Sequence, residues 1–266
     1  MSQLTEPSIR FHASNVKVVP IVAPLLVGVA FLGLWQMAVS VWKVDPYILP
    51  SPSAIGEQVS TARTQILDGM IGTGRNALIG LVIGAVAGVV GAVVSSLAKP
   101  LEWMAAPVVA AASVVPIVAL APVFYTMFGA AANTGRILIA AIAAGIPIYL
   151  NTLRGLGMVA PVHSELMRVY AATPLQRAGT VTLPTALPYV FTGLRIASSL
   201  AVISALIAEY FGGPVDGLGK AITTAASASN YPLAWAYVVG SIVLGLAFYV
   251  VALLIELWST RHQPST

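Results

Sequence analysis

Long apolar runs alternate with short polar breaks along this chain. The runs predict six membrane-spanning helices at about 19–41, 76–98, 103–128, 136–153, 186–211 and 233–257, most of them near the roughly 20 residues a helix needs to cross hydrocarbon. The longest polar break, Glu165 to Pro188, organises the rest. Charges such as Glu165, Arg168 and Arg177 each cost roughly 2.5–3.5 kcal/mol at a bilayer centre, which excludes this stretch from the membrane. Within it Leu166, Val169, Tyr170 and Thr173 recur at i, i+3, i+4 and i+7, one stripe of a helix. Thr173 precedes Pro174 and is biased away from helical geometry, so the first helix is predicted over 162–172. Thr173, Pro174 and Gln176 then stand as N-cap, N1 and N3 of a second helix, with Thr and Gln spaced for a capping box. Pro184 and Pro188 predict a further interruption before span 5. The whole stretch predicts a helix–turn–helix on one membrane face, with Ala171 and Ala172 placed for close approach by another surface.

Trp35 and Trp42 stand near the outer end of span 1 as interface anchors. Residues 43–72 predict an outer segment with an amphipathic helix near 53–67, capped by Ser53, with Ile55, Val59 and Ile66 facing the lipid or the core. Span 2 repeats glycine at 80, 84, 88 and 91, a small-residue lane that predicts a tight helix contact, within the subunit or between subunits. Pro107, Pro116 and Pro122 predict a kinked or broken span 3. Broken backbone at membrane depth is tolerated inside protein or beside a water-filled cavity. Ser113 and Pro116 are therefore candidates for lining a water-filled path, and Ser198 and Ser199 of span 5 are further candidates; the competing reading of span 3 is a merely bent packing helix. Arg195 is the one charge well inside span 5, and snorkelling to the interface is the expected explanation. Residues 212–232 predict the connection to span 6, with Glu209 at its membrane edge. Its GLGK lacks the surrounding glycine and hydroxyl of a phosphate loop, since Pro214 and Ala221 occupy those places.

Composition agrees with a membrane body. Of 266 residues 58% are hydrophobic and 8% charged, against about 25% charged in soluble domains. The expected organisation is a polar tail over 1–18, one transmembrane domain over 19–258 and a short tail over 259–266, with the first span retained. Seven Lys and Arg fall in segments assigned inside and five in segments assigned outside, a bias for both termini in the cytoplasm. The net charge of +4 reads as topology rather than a nucleic-acid footprint. Zero cysteines exclude disulfides and thiolate metal sites, and His12, His163 and His262 lie outside the apolar runs. Neither a catalytic constellation, a metal cluster nor an ATP site is present, so no cofactor is expected on this chain.

The loop also carries a resemblance. Glu165, followed at the right separations by Val181, Leu183 and Pro184, resembles the loop signature of ABC-importer permeases: Glu-Ala-Ala, three residues, Gly, nine residues, Ile, one residue, Leu-Pro. Leu166 and Met167 replace its two alanines and Ala171 its glycine. PTALPYVFTGLRIA (184–197), NTLRGL (151–156) and ILPSPSAI (48–55) are similar to the nitrate/sulfonate/taurine branch, over about residues 20–258. The resemblance implies an all-α, type I importer permease fold with a cytoplasmic coupling helix between spans 4 and 5, in a bacterial inner membrane. It implies ATPase coupling through Glu165, Leu166, Met167, Arg168, Val169, Tyr170, Ala171 and Ala172. The implied partners are two cytoplasmic ABC ATPase subunits that use the ATP, a second permease subunit (a homodimer) and an extracytoplasmic binding protein that delivers a small polar solute. Small anions and pyrimidine- or riboflavin-type heterocycles are both within the branch, and TALPYVFTGLRIA and AEYFGG lean to the heterocycles. The rival class is an ion-coupled secondary transporter, which would normally carry intramembrane acids that spans 1–4 lack.

Overall fold

A computed structural model describes residues 19–129, 132–214 and 216–261, and these contain helices but no strand. The tail predicted at 1–18, and most of that at 259–266, lie outside the described residues. Helix α1 (Val19–Val41) is followed by a short α2 (Pro52–Thr61) and a long α3 (Arg63–Ser96). Next come α4 (Lys99–Val114), α5 (Ile117–Phe128) and α6 (Thr134–Gly157). The interrupting stretch folds as α7 (Pro161–Val169) and α8 (Pro174–Arg177), and a π-helical turn over Ala178–Thr182 leads into α9 (Leu183–Phe211). Helices α10 (Leu218–Ser227) and α11 (Tyr231–Thr260) complete the chain. Five helical runs are long and apolar enough to cross a membrane, and the bent pair α4–α5 makes a sixth if counted as one span.

Helix α6 lies in the centre, packed on one side by α3 and on the other by α9. Both contacts close through missing side chains. A Cβ on Gly84 of α3 would lie 2.5 Å from the Ala141 carbonyl oxygen and 2.9 Å from the Gly145 nitrogen. Gly80 and Gly88 meet α6 in the same way, and a Cβ on Gly193 of α9 would lie 3.1 Å from the Ile148 Cα. The glycine lane of span 2 is therefore an intrachain contact. Ala77, Leu81, Ala140, Ala144, Ile148, Ala197 and Ala201 fill the core between these helices. Helix α1 stays at the periphery, largely exposed, and meets the body through Trp35, whose ring stands edge-on to Trp235 at 5.6 Å.

Several boundaries differ from the sequence expectation, each for a local reason. Helix α3 begins at Arg63 rather than near 76, because Ile66, Gly69, Gly72 and Thr73 continue its buried face below the apolar run. The amphipathic helix ends at Thr61, where Ala62 leaves helical geometry. Its cap is Ser51, not Ser53: Ser51 Oγ accepts the Ala54 amide, and the Ser53 amide instead donates to Gln36 Oε1 of α1 at 3.1 Å. Span 3 breaks at Val115-Pro116, where α4 and α5 diverge by 101°. No interruption falls at Pro184 or Pro188, since α8, the π turn and α9 form one helical run of 38 residues. The π turn, with the Leu183 amide bonded to the Ala178 carbonyl, accommodates backbone whose regular ladder the prolines would interrupt.

Candidate coupling surface and a buried charge cluster

Helix α7 starts after the extended residue Ala160, with Pro161 at N1 where no donor is needed. It stops at Val169, three residues before the expected end. The Ala172 amide bonds the Met167 carbonyl at 2.9 Å and the Ala171 amide bonds that of Arg168 at 3.0 Å. Ala171 between them has φ of +50°. This is a Schellman ending, whose left-handed position normally favours glycine. Thr173 then opens α8 with both capping-box bonds: its amide donates to Gln176 Oε1 at 2.8 Å and its Oγ1 accepts the Gln176 amide at 3.3 Å. Arg177 Nη2 donates to Ser164 Oγ at 3.2 Å, pinning α8 to α7. No ion pair joins Glu165 to Arg168 among the described residues.

The result is a compact helical hairpin outside the bundle. Val169, Tyr170 and Leu175 are 81%, 74% and 84% exposed, Glu165, Leu166, Arg168 and Ala171 are exposed too, and Met167 and Ala172 are half-buried. An open cleft of about 660 Å3, bordered by Ser164, Met167, Arg168, Ala172 and Arg177, separates the hairpin from the ends of α3 and α6. The four path candidates do not share one setting. Ser113 and Pro116 are exposed at the α4–α5 break, with Ser113 Oγ bonded to the Val109 carbonyl of its own helix. Ser198 is buried inside the chain with its hydroxyl on the Arg195 carbonyl, and Ser199 beside it is half-buried. Arg195 does not merely snorkel: its Nε lies 3.1 Å from Glu256 Oε2 of α11, Thr192 Oγ1 donates to the other oxygen at 2.8 Å, and Tyr249 stands under the guanidinium.

At the opposite end of the bundle a second polar assembly centres on two fully buried charges. Arg136 in the first turn of α6 and Glu209 in the last turn of α9 are both fully buried, 3.8 Å apart. Arg136 Nη1 donates to Asp216 Oδ1 at 2.8 Å, and Nη2 donates to the Pro214 carbonyl. Glu209 Oε2 accepts Thr73 Oγ1 of α3 at 2.7 Å and the Gly219 amide of α10 at 3.0 Å. Thr73 Oγ1 in turn accepts the Leu218 amide at 2.9 Å. A Cβ on Gly213 (φ of +100°) would run into the Arg136 guanidinium, and one on Gly217 into the Glu209 carboxylate. The glycines of 212–219 are thus the walls of an ionic pocket, which explains the GLGK run without a phosphate. Sequence reading missed this cluster because Arg136 and Glu209 each look like an ordinary edge charge. The available signal was the density of glycine between Glu209 and Lys220.

The chain is thus a helical bundle built round a tightly packed central helix, with a helical hairpin standing off one end. Residues 80–265 match the family described as binding-protein-dependent transport system inner membrane component, and the chain belongs to that family. It is a permease of an ABC importer, and the ion-coupled alternative is set aside. The chain is 33% identical to the riboflavin transport system permease protein RibX of Chloroflexus aurantiacus over 236 residues, covering 88% of this chain and 87% of that one. It is 28% identical to the formylaminopyrimidine transport permease protein ThiX of Halalkalibacterium halodurans, covering 74% of this chain and 78% of that one. It is 26% identical to the nitrate import permease protein NrtB of Synechococcus elongatus, over 73% of each chain. Among solved structures, the inward-facing MetNI methionine ABC transporter superposes with a TM-score of 0.66 at 19% identity, over 76% of this chain and 99% of that one. That likeness establishes the fold as that of a type I importer permease.

Proposed function

We propose that two copies of this permease enclose the path of an importer for a small heterocycle of the flavin or pyrimidine type. The similarity to the riboflavin permease along 88% of the chain carries that reading. The nitrate relative supports small anions as the second substrate class. In this reading the hairpin α7–α8 faces the cytoplasm with both termini, and each hairpin seats in a groove of an ATPase subunit that hydrolyses the ATP. Glu165, Leu166, Met167, Arg168, Val169, Tyr170, Ala171 and Ala172 form the contact. The exposed apolar side chains Val169, Tyr170 and Leu175 support it, because exposed apolar surface on a hairpin outside the bundle is the kind a protein partner covers. A binding protein delivers the solute to the opposite face, and the broken span α4–α5, with Ser113 and Pro116, borders the path. Uptake of labelled riboflavin, a formylaminopyrimidine and nitrate by cells expressing the whole transporter tests the substrate class. Saturable, permease-dependent uptake of a heterocycle is expected, and uptake of nitrate alone would overturn the assignment.

A further inference from the structure

The cluster at the outer end has more bonds to the connection 212–219 than to the spans, although its two fully buried charges come from the spans. Arg136 takes Asp216 and the Pro214 carbonyl, Glu209 takes the Gly219 amide, and Thr73 takes the Leu218 amide. One short segment is thereby fastened to α3, α6 and α9 at once. Helix α5 is fastened to the same place, since Tyr125 hydroxyl donates to the Ala208 carbonyl at 2.8 Å and its ring packs against Gly212. The outer side of the segment borders an open cleft of about 490 Å3, lined by Asp68, Asp216, Gly217, Thr224, Asn230 and Tyr237. Buried ion pairs are weak sources of stability compared with apolar packing, but they can fix one arrangement.

We propose that Arg136, Glu209 and Thr73 are positioning residues that clamp residues 212–214 and 216–219 of the connection into a rigid shelf, through which force applied at the outer face moves α3, α5, α6 and α9 as one body. This rests on the reading that a binding protein docks at the outer face. A flexible connection would yield under the docked protein. A clamped one passes the displacement to helices that run to the hairpin at the other end. Coupling between distant sites is carried by packed side chains, hydrogen-bond networks and rigid elements, and the bonds of Arg136, Glu209 and Thr73 tie the segment to such elements.

The test uses the whole transporter in lipid nanodiscs, with its ATPase subunits and solute-loaded binding protein. Thr73→Val keeps the shape and removes two hydrogen bonds; Glu209→Gln removes the charge; Thr73→Ser is the rescue. Backbone hydrogen exchange at Leu218 and Gly219 reads the clamp, and ATP hydrolysis with and without binding protein reads transmission. Both disabling variants should speed exchange at those amides at least tenfold and cut binding-protein stimulation at least fivefold. Basal hydrolysis and subunit assembly should stay within twofold, and Thr73→Ser should behave as the unaltered protein. If Glu209→Gln fails to assemble, Thr73→Val decides alone. Unchanged exchange would overturn the clamp, and fast exchange with full stimulation would overturn its role in transmission. If the unaltered complex shows no stimulation, the functional reading and the transmission role fall together, and the exchange rates still decide the clamp.

Discussion

Arg195 of α9 and Glu256 of α11 meet at 3.1 Å within the helical bundle, with 30% and 15% of their side chains exposed. Removing one partner of a fully buried pair typically costs 3–5 kcal/mol, about half of which is expected here because Arg195 keeps part of its surface open. Glu256→Met alone should therefore lower the thermal unfolding temperature in detergent. Arg195→Met/Glu256→Met should recover most of the loss. Simple addition of the two single effects would show that the pair is not coupled.

Ala171 occupies a left-handed position at the end of α7, with φ of +50°. Such geometry costs a residue with a Cβ roughly 1–2 kcal/mol. Ala171→Gly should slow hydrogen exchange of the Ala171 and Ala172 amides, and Ala171→Val should speed it. Equal exchange in all three would mean that the hairpin does not end this way in solution.

The α3–α6 contact predicts a sharp positional difference among glycines. Gly84→Ala places a Cβ against backbone atoms of Ala141 and Gly145, an overpacking that costs about 1–3 kcal/mol. Gly56→Ala meets open space. Folded yield from membranes should fall for the first and hold for the second. Equal yields would contradict the close approach.

Much of this was legible in the sequence because hydropathy and capping are local. The run lengths gave the spans, and Thr173, Pro174 and Gln176 specified a capping box that the structure forms bond for bond. The glycine spacing predicted a tight contact but not its partner, since spacing describes one surface only. The long-range pairs were hidden for the same reason. Arg136 and Glu209 are 73 residues apart in the chain, and Arg195 and Glu256 are 61 apart (209 − 136; 256 − 195). Each residue alone reads as an edge or snorkelling charge until the fold brings its partner. The early end of α7 was missed because a left-handed alanine leaves no mark in composition.

The α4–α5 break predicts an accessible stripe. Single cysteines from Ala110 to Ala121, introduced into this cysteine-free chain, should include one set near Ser113 and Pro116 that reacts with a water-soluble thiol reagent and changes rate with nucleotide. Uniform protection would make the break a packing feature and remove it from the path.

The central claim is that the α7–α8 hairpin seats in a groove of the ATPase. Removing one partner of a charge pair desolvated at an interface typically costs about 2–5 kcal/mol, and about 1.4 kcal/mol is tenfold in affinity. Ala172→Trp obstructs the cleft edge, and Glu165→Ala removes the charge, in a hairpin outside the bundle core. The decisive measurement is the amount of ATPase co-purified per permease from membranes carrying each variant. The account predicts normal permease abundance with at least a tenfold loss of bound ATPase and no transport. Full ATPase recovery and full transport by the double variant would contradict it.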